Sequence, residues 1–539
     1  MVLLTELPPE IVQHVLGYVD PPDLAWIPRI CKRFYHTVKE NNSLFRVVYL
    51  NNFDSPPDKS SVNWEQAIKD IVRLQVICNR DRVQDKKNEL PFVYDAVRSL
   101  LRNAATDTER VRSTTHRASR NADLLSAIFA SETNQSAFLC RSLLYGLARG
   151  EVRSADELSP RPRADHQRSA HLHCLYGVPL LWANPEAATA AAHRTRRSKM
   201  SPYACAKVYD LRQYTDNTKW GPFADDATDR VDWEKVEAIM LVIGANLRKL
   251  GLTKFPVCRN VWETPFAGTW PQSYKALPTI SMGREQQQQS SSSSSSDPTA
   301  GAAERSPPPQ DLLQDQDPYG ITGTWLRVVC FLDYNDFFRF NFTMAENEPP
   351  AHVPRAPIDC GEATRLILMT VRVTRIEPPG PDDGQALPVC HFEGMSRSLD
   401  DSYDENANSA LRGSVRLTRE GEVRWTTFSV FSGVERWRSE SVQIGGVKSA
   451  KGILGNWFDK DFDPRGPAGP TAFWKVSDKV TESGGRRALM QDFLPLIQDQ
   501  LGVAGDEYAD QSGEDEDDDD EPGLELEITG VSWVTWTDD

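Results

Sequence analysis

The sequence predicts an α+β multidomain protein with a helical first half and an antiparallel β barrel or sandwich in its second half. Up to about residue 275, apolar residues recur at helical spacing. Beyond residue 319 they alternate with polar residues at a period of two, which is typical of strands with one buried face. Between the halves, four consecutive glutamines and seven consecutive serines favour a disordered linker at residues 283–318.

Composition bounds the class of protein. A chain of 539 residues has room for two to four folded units. It contains no run of about 18 apolar residues, so we expect no membrane span, and its start lacks the basic region of a signal peptide. The nine cysteines are scattered and never spaced C-x-x-C, which favours reduced thiols and a cytoplasmic or nuclear location.

Residues 1–55 predict three short helices. Ile11, Val12, Val15 and Leu16 fall on one helical stripe, and Pro8-Pro9 open that helix. Two more short helices follow Asp20–Asp23 and Pro28. Helices this short cannot bury all their apolar side chains among themselves, so the surplus face must be covered by a partner or by the next helices.

The same residues resemble a known family. Leu7–Leu24, Ile30–Phe34 and Asn42–Arg46 look like an F-box from end to end, with Phe45 where the family often has Trp. The resemblance implies binding to a Skp-type adaptor and, through it, to a cullin. The docking residues it implies are Leu7, Pro8, Ile11, Val15, Leu16, Leu24, Ile30, Cys31, Phe34 and Phe45.

Residues 56–282 predict a mainly helical domain. Apolar periodicity runs from Leu124 to Leu147, and a long helix is expected over Val231 to Leu250, ended by Gly251. Residues 151–170 are rich in arginine and poor in apolar residues, so a mobile loop is expected there.

Residues 319–504 predict the β domain. Phe338, Phe340 and Phe342 alternate with Phe337, Arg339 and Asn341, and Met369, Val371 and Val373 alternate with Thr370, Arg372 and Thr374. A hairpin is expected around Glu420-Gly421 that sets Val415 and Leu417 against Val423 and Trp425. Eleven acidic and no basic residues lie between 506 and 521, so the segment 505–523 is expected to stay solvated, and about −5 of the net charge of −16 is left for the rest of the chain. Residues 524–539 predict terminal strands.

A recognition surface is expected in the β domain, because tryptophan and arginine dominate binding hot spots. Residues 323–474 resemble the carboxy-terminal domain of large fungal F-box proteins and are distantly similar to the barrel of one vertebrate F-box-only branch, whose pocket reads a degron near a chain end. The residues expected to contact a protein substrate are Arg436, Trp437, Asn456, Trp457, Asp459 and Lys460. For each tryptophan a place in the barrel core is the alternative.

Motifs of catalysis are not found: the sequence has no phosphate-binding P-loop, nucleophile elbow or H-E-x-x-H. We therefore expect a non-enzymatic subunit with no cofactor and no metal; His171, His173 and Cys174 lack a fourth ligand, and packing is the simpler interpretation. A folded part of nearly neutral charge argues against a nucleic-acid partner. A substrate-recognition adaptor of a ubiquitin ligase fits these observations. The alternatives are an F-box scaffold outside the ligase and a small-molecule-binding barrel fused to an F-box.

Overall fold

The structure is a computed structural model, which describes residues 7–106, 119–152, 158, 163–177, 190–253, 255, 258, 261–274, 313, 315–342, 349–399 and 408–480. The acidic segment 505–523, the predicted strands of 524–539 and nearly all of the Gln/Ser stretch lie outside these residues. Within the described residues, no helix is long and apolar enough to cross a membrane.

The first half is helical, as predicted. The first module contains α1 Pro9–Leu16, α2 Pro21–Trp26, α3 Lys32–Val38 and α4 Asn42–Asn52, with a 3₁₀ turn at Ile27–Arg29. The next helices are α5 Trp64–Cys78, then Val83–Lys86, Leu90–Arg102, Arg120–Phe129, Glu132–Asn134, a π-helical turn Gln135–Leu139, Leu143–Arg149, Ala164–Tyr176, Ala190–Tyr209 and Trp233–Thr253.

Local sequence explains where the first helices begin. Prolines occupy the first turn of α1 and α2, where a missing backbone N–H costs nothing. Asn41 caps α4, since its side-chain oxygen accepts from the backbone N–H of Leu44 at 3.1 Å, and Asn63 caps α5 in the same way through Gln66 at 3.0 Å.

Two predictions for the helical region differ from the structure. The long helix spans Trp233–Thr253, because Val231 pairs with Phe223 in a β-bridge and the helix continues past Gly251. Residues 164–170, expected to belong to a mobile loop, form the first half of the helix Ala164–Tyr176, whose later residues are buried. Tertiary packing overrides the weak apolar signal there.

The second half contains a closed barrel of eight antiparallel strands, each paired with its neighbours in chain order. The strands are β1 Gly323–Leu332, β2 Glu362–Glu377, β3 Val389–Ser398, β4 Asn408–Leu417, β5 Val423–Phe431, β6 Val434–Gln443, β7 Ile453–Asp459 and β8 Ala468–Ser477. The predicted hairpin is confirmed: Val415 lies opposite Trp425, and Leu417 opposite Val423. Of the two predicted architectures, the barrel is the correct one.

One predicted strand is wrong. Residues 334–342 form a helix between β1 and β2, with Phe337 and Asn341 buried and Phe338 exposed. The helix starts at Asp333, whose backbone oxygen accepts from the N–H of Phe337 at 2.9 Å and whose carboxylate accepts from Asn335. Four phenylalanines within six residues satisfy either periodicity, so the alternation did not discriminate between strand and helix.

Two apolar cores organise the described residues. The larger one runs from the F-box-like helices through the helical region to the outer faces of β1, β2 and β6–β8, where residues such as Leu326, Leu454 and Trp474 are buried. The smaller one fills part of the barrel interior around Trp325, Trp425 and Phe473. One wall of the barrel is therefore held against the helices, while its interior forms a separate core.

Candidate docking surfaces

The helices of residues 1–55 expose large apolar side chains. On α1, Ile11, Val15 and Tyr18 follow a spacing of four and three, which places them on one face of the chain segment. From α2 to α3, Trp26 and Ile30 are 62% and 67% exposed, and Tyr35 is also exposed. Solvent-facing tryptophan and isoleucine at this density are typical of an interaction surface rather than of a free monomer face.

The ten predicted docking residues separate into two groups. Pro8, Ile11, Val15 and Ile30 are exposed, and Leu7 and Cys31 are half-buried. Leu16, Leu24, Phe34 and Phe45 are buried in this chain's own core and support the surface from beneath, and their contact with an adaptor stays a prediction. The exposed aromatics Tyr18, Trp26 and Tyr35 were missed, although Tyr18 lies seven residues after Ile11 on the stripe already identified.

A groove of about 530 Å³ lies between α2, α3 and α5. Its apolar lining comes from the first module and from α5, through Pro21, Leu24, Pro28, Tyr35, Val38, Phe45, Ile68, Val72 and Val76. Val76 is itself more than half exposed. The surplus apolar face is thus covered in part by the next helix and is otherwise left open.

The second candidate surface lies at the end of the barrel where β5 turns into β6 and β7 leads to β8. Trp437 on β6 lies opposite Asp459 on β7, and its ring meets the ring of Trp457 edge-on, with 5.3 Å between centroids. The guanidinium of Arg436 lies 5.2 Å from the centre of the Trp437 ring. The backbone N–H of Lys460 donates to the carbonyl of Arg436 at 3.0 Å. Five of the six predicted substrate residues therefore share one rim, which we call the barrel rim.

Asn456 is the exception among the six. It faces the opposite side of β7 from Trp457, has no exposed surface, and donates from its side-chain amide to the hydroxyl of Tyr214 at 2.5 Å. This corrects its prediction as a surface residue, because strand alternation places it in the packing between barrel and helices.

The histidines singled out in the sequence are packing residues. His171 stacks on Trp233 with 3.4 Å between ring centroids, and burial holds its pKa well below the usual value. His173 shares a hydrogen bond of 2.6 Å between its Nδ1 and Oε1 of Glu237, with both side chains fully buried. Across the described ranges, no group of three or more His, Cys, Asp or Glu side chains is arranged to hold a metal ion.

The comparisons with known proteins bear on the first surface. The F-box domain family matches residues 4–46, the segment that contains α1, α2, α3 and the start of α4. Neither a curated protein nor a solved structure matches the chain, so the resemblance of residues 323–474 to other receptor domains stays an expectation. F-box domains bind Skp-type adaptors, and the exposed side chains on α1 to α3 belong to the matched segment. The chain therefore contains an F-box domain at residues 4–46.

Proposed function

We propose that this F-box protein is the substrate-recognition subunit of a Skp–cullin–F-box ubiquitin ligase. In this function the α1–α3 surface binds the adaptor, and the barrel rim binds a protein target. The observation that carries the proposal is the exposure of Ile11, Val15, Trp26 and Ile30 directly above a buried core. An apolar face that the chain leaves uncovered while burying the residues beneath it gains free energy when a partner covers it, at about 25 cal/mol per Å².

The proposed mechanism needs no catalytic residue in this chain. A receptor of this kind acts by proximity, since it holds a lysine of the bound target near a ubiquitin thioester carried elsewhere in the assembly and so raises the effective concentration of the two groups. This is why we propose a non-enzymatic role.

All nine cysteines lie among the described residues and are free thiols, and eight of them are at least half-buried. This distribution supports the proposed cytoplasmic or nuclear location, because reducing compartments keep thiols unpaired.

The adaptor contact is tested by co-expression with a Skp-type adaptor. The variants Trp26→Ala and Ile30→Asp should each weaken adaptor binding by about 2 kcal/mol, or ~30-fold, as central hot-spot residues do. Val434→Asp is the matched control: Val434 is also an exposed apolar residue, 68% accessible, but lies on the barrel. Equal affinity of all four proteins for the adaptor would refute the docking surface.

The ligase role is tested separately from adaptor binding. Wild-type chain isolated from cells should carry cullin together with the adaptor, and proteins trapped on it should increase when the proteasome is blocked. Adaptor without cullin would contradict the ligase role and favour a scaffold acting outside the ligase.

A further inference from the structure

A small cavity lies beside the start of β2. It is bounded by the helices Ala190–Tyr209 and Trp233–Thr253 and by residues 358–361, which lead into the strand. Its volume is about 190 Å³. A water molecule in the liquid takes up about 30 Å³, so the cavity has room for about six groups of that size. This is the size of one long side chain or of a small molecule.

The cavity has apolar walls that are fixed in place. The backbone N–H of Ile358 donates to the carbonyl of Pro202 at 3.0 Å, which holds the segment before β2 against the helix Ala190–Tyr209. Both of these residues line the cavity, together with Ala245. Walls of this kind suit the methylene chain of an amphipathic side chain, which packs on apolar surface while its charged end meets a polar group.

The polar group inside the cavity is a preorganised carboxylate. Glu362, the first residue of β2, is half-buried and lines the cavity. Its Oε1 accepts from the hydroxyl of Tyr209 at 2.5 Å. Its Oε2 accepts from the side-chain amide of Asn246 at 2.8 Å and from the thiol of Cys205 at 3.6 Å. An ionised carboxylate offers about four acceptor sites, so one remains for a ligand.

Glu362 has no counter-charge in contact with it. All three of its donors are neutral, and its carboxylate forms no ion pair with any residue that the structure describes. Burial raises the pKa of Glu362, against the lowering by the three hydrogen bonds and by the charge of Lys249. A carboxylate taken out of water without a cation beside it costs free energy, and a cationic ligand would offset that cost.

The charged side chains that line the cavity leave it negative. Asp359 and Lys249 are both exposed and line it together with Glu362. Two carboxylates and one ammonium group give a net charge of −1. Lys249 repels a second cation, so its removal should favour a cationic ligand and disfavour an anionic one.

We propose that this cavity, which we call the Glu362 pocket, binds an ammonium or guanidinium group at the end of an unbranched chain, with the carboxylate of Glu362 as its counter-charge. The chain packs against Ile358 and Pro202. A metal ion fits less well, because within the part of the chain that the structure describes no group of three or more His, Cys, Asp or Glu side chains is arranged to hold one. The cation belongs either to a lysine or arginine of a protein target, a source that rests on the proposed function, or to a free amine.

The test uses the purified full-length chain and four small probes. N-acetyl-lysine amide and N-acetylarginine amide present the two side chains, pentylamine presents an amine without a peptide, and N-acetylnorleucine amide is the neutral analogue. Binding is measured by titration calorimetry. At least one cationic probe should bind about ten-fold more tightly than the neutral analogue. Tighter binding of pentylamine than of both amino-acid probes identifies a free amine as the ligand, and the reverse order identifies a target side chain.

Glu362→Gln removes the proposed counter-charge and keeps the size of the side chain. It should lose about ten-fold in affinity for the cationic probe. Glu393→Gln is the matched control, because Glu393 is an exposed glutamate on β3 and should leave probe affinity unchanged. Equal affinity of Glu362→Gln and wild type for the cationic probe would overturn the proposal.

Two variants of exposed side chains keep the test decisive if Glu362→Gln does not fold. Asp359→Asn should weaken binding of the cationic probe about three-fold, as loss of a partly screened charge does. Lys249→Met should strengthen it by a similar factor, because a competing positive charge is removed. Weaker binding of the cationic probe by Lys249→Met, or binding of acetate that this variant abolishes, would assign the cavity to an anion instead.

The outcome for the Glu362 pocket can be separated from that for the proposed function. The probe measurements involve neither adaptor nor cullin, so loss of the ligase role in cells leaves them intact. Conversely, Glu362→Gln should bind the adaptor as tightly as wild type does, because the pocket lies outside residues 4–46.

Discussion

The indole of Trp457 stands perpendicular to that of Trp437, with an angle of 88° between the ring planes, and donates its N–H to the carbonyl of Cys330 at 3.0 Å. This bond ties β7 to β1 across the glycine of β8 that lies between them, Gly469. The indole N–H of Trp437 makes no hydrogen bond to any residue the structure describes, and the side chain is half-buried. Trp457 therefore stabilises the barrel rim, whereas the ring of Trp437 remains available to a ligand.

This difference predicts opposite phenotypes for the two alanine variants. Trp437→Ala should reduce target capture about ten-fold and change stability little, because only a partly exposed ring is removed. Trp457→Ala should lower the free energy of unfolding by about 3 kcal/mol, as loss of a packed aromatic side chain does. Urea unfolding and target co-purification measure the two effects. Equal loss of stability in both variants would place Trp437 in the core.

The split within the F-box predicts a similar contrast. Leu24→Ala should cost about 3 kcal/mol of unfolding free energy, because its buried side chain leaves a cavity beneath the docking surface. Ile30→Ala should leave stability within about 0.5 kcal/mol of wild type yet weaken adaptor binding. Denaturant titration of the chain alone measures the stability of the two variants, and adaptor affinity is measured at a temperature at which both are folded. A stable Leu24→Ala variant that fails to bind the adaptor would restore Leu24 as a contact residue.

A buried ion network on the barrel wall predicts acid sensitivity. Glu440 is fully buried and accepts from Arg424 at 2.9 Å and from Arg438 at 2.5 Å. Burial raises the pKa of Glu440, but the two guanidinium groups outweigh it and hold the pKa below the usual value. The contribution of Glu440 is therefore complete above its unfolded pKa of about 4.5 and is lost as pH falls through the lower folded value.

Glu440→Gln should remove about 3 kcal/mol at neutral pH, since it leaves the buried Arg424 with Asp229 as its remaining carboxylate partner and removes the carboxylate that pairs with Arg438. The same variant should also lose less unfolding free energy than wild type does when the pH is lowered. Unfolding free energies at several pH values between 3 and 7 check both statements. If the variant lost as much unfolding free energy on acidification as wild type does, the acid sensitivity would not come from Glu440.

The buried Lys451 predicts that the stability of the fold depends on pH above neutrality. Its buried ammonium group donates to the carbonyl of Tyr176 at 3.3 Å, and burial lowers its pKa to about 7. Between about pH 7 and the ordinary value of 10.5, the unfolded chain binds more protons than the folded one at this site. Stability should therefore rise with pH across that window.

Lys451→Met should reduce this rise, and a comparison of melting temperatures at pH 7 and pH 9 measures it. Lys479→Met is the control, because Lys479 is exposed near the end of the last strand. A rise of equal size in wild type and in Lys451→Met would assign the dependence to other groups.

The sequence by itself determined the elements whose cause is local. The proline-opened α1, the asparagine caps and the hairpin that pairs Val415 with Trp425 follow from residues close in the chain, and the structure confirms the hairpin in its predicted register. The F-box was identifiable because its motif fits within 43 residues, 4–46. The change from helical to strand periodicity likewise predicted the β domain, since side chains along a strand alternate between its buried and its exposed face.

Tertiary structure alone decided which apolar residues are covered. Leu24 and Ile30 have the same character in the sequence, but α5 and the helix core enclose Leu24 and leave Ile30 in solvent. The closure of the barrel turned Arg327 inward beside Thr471 and Asn456 outward against Tyr214, although neither position is marked by its neighbours in the chain. The burial of a side chain and its hydrogen-bond partners depend on contacts between segments distant in sequence, and a local sequence pattern does not predict those contacts.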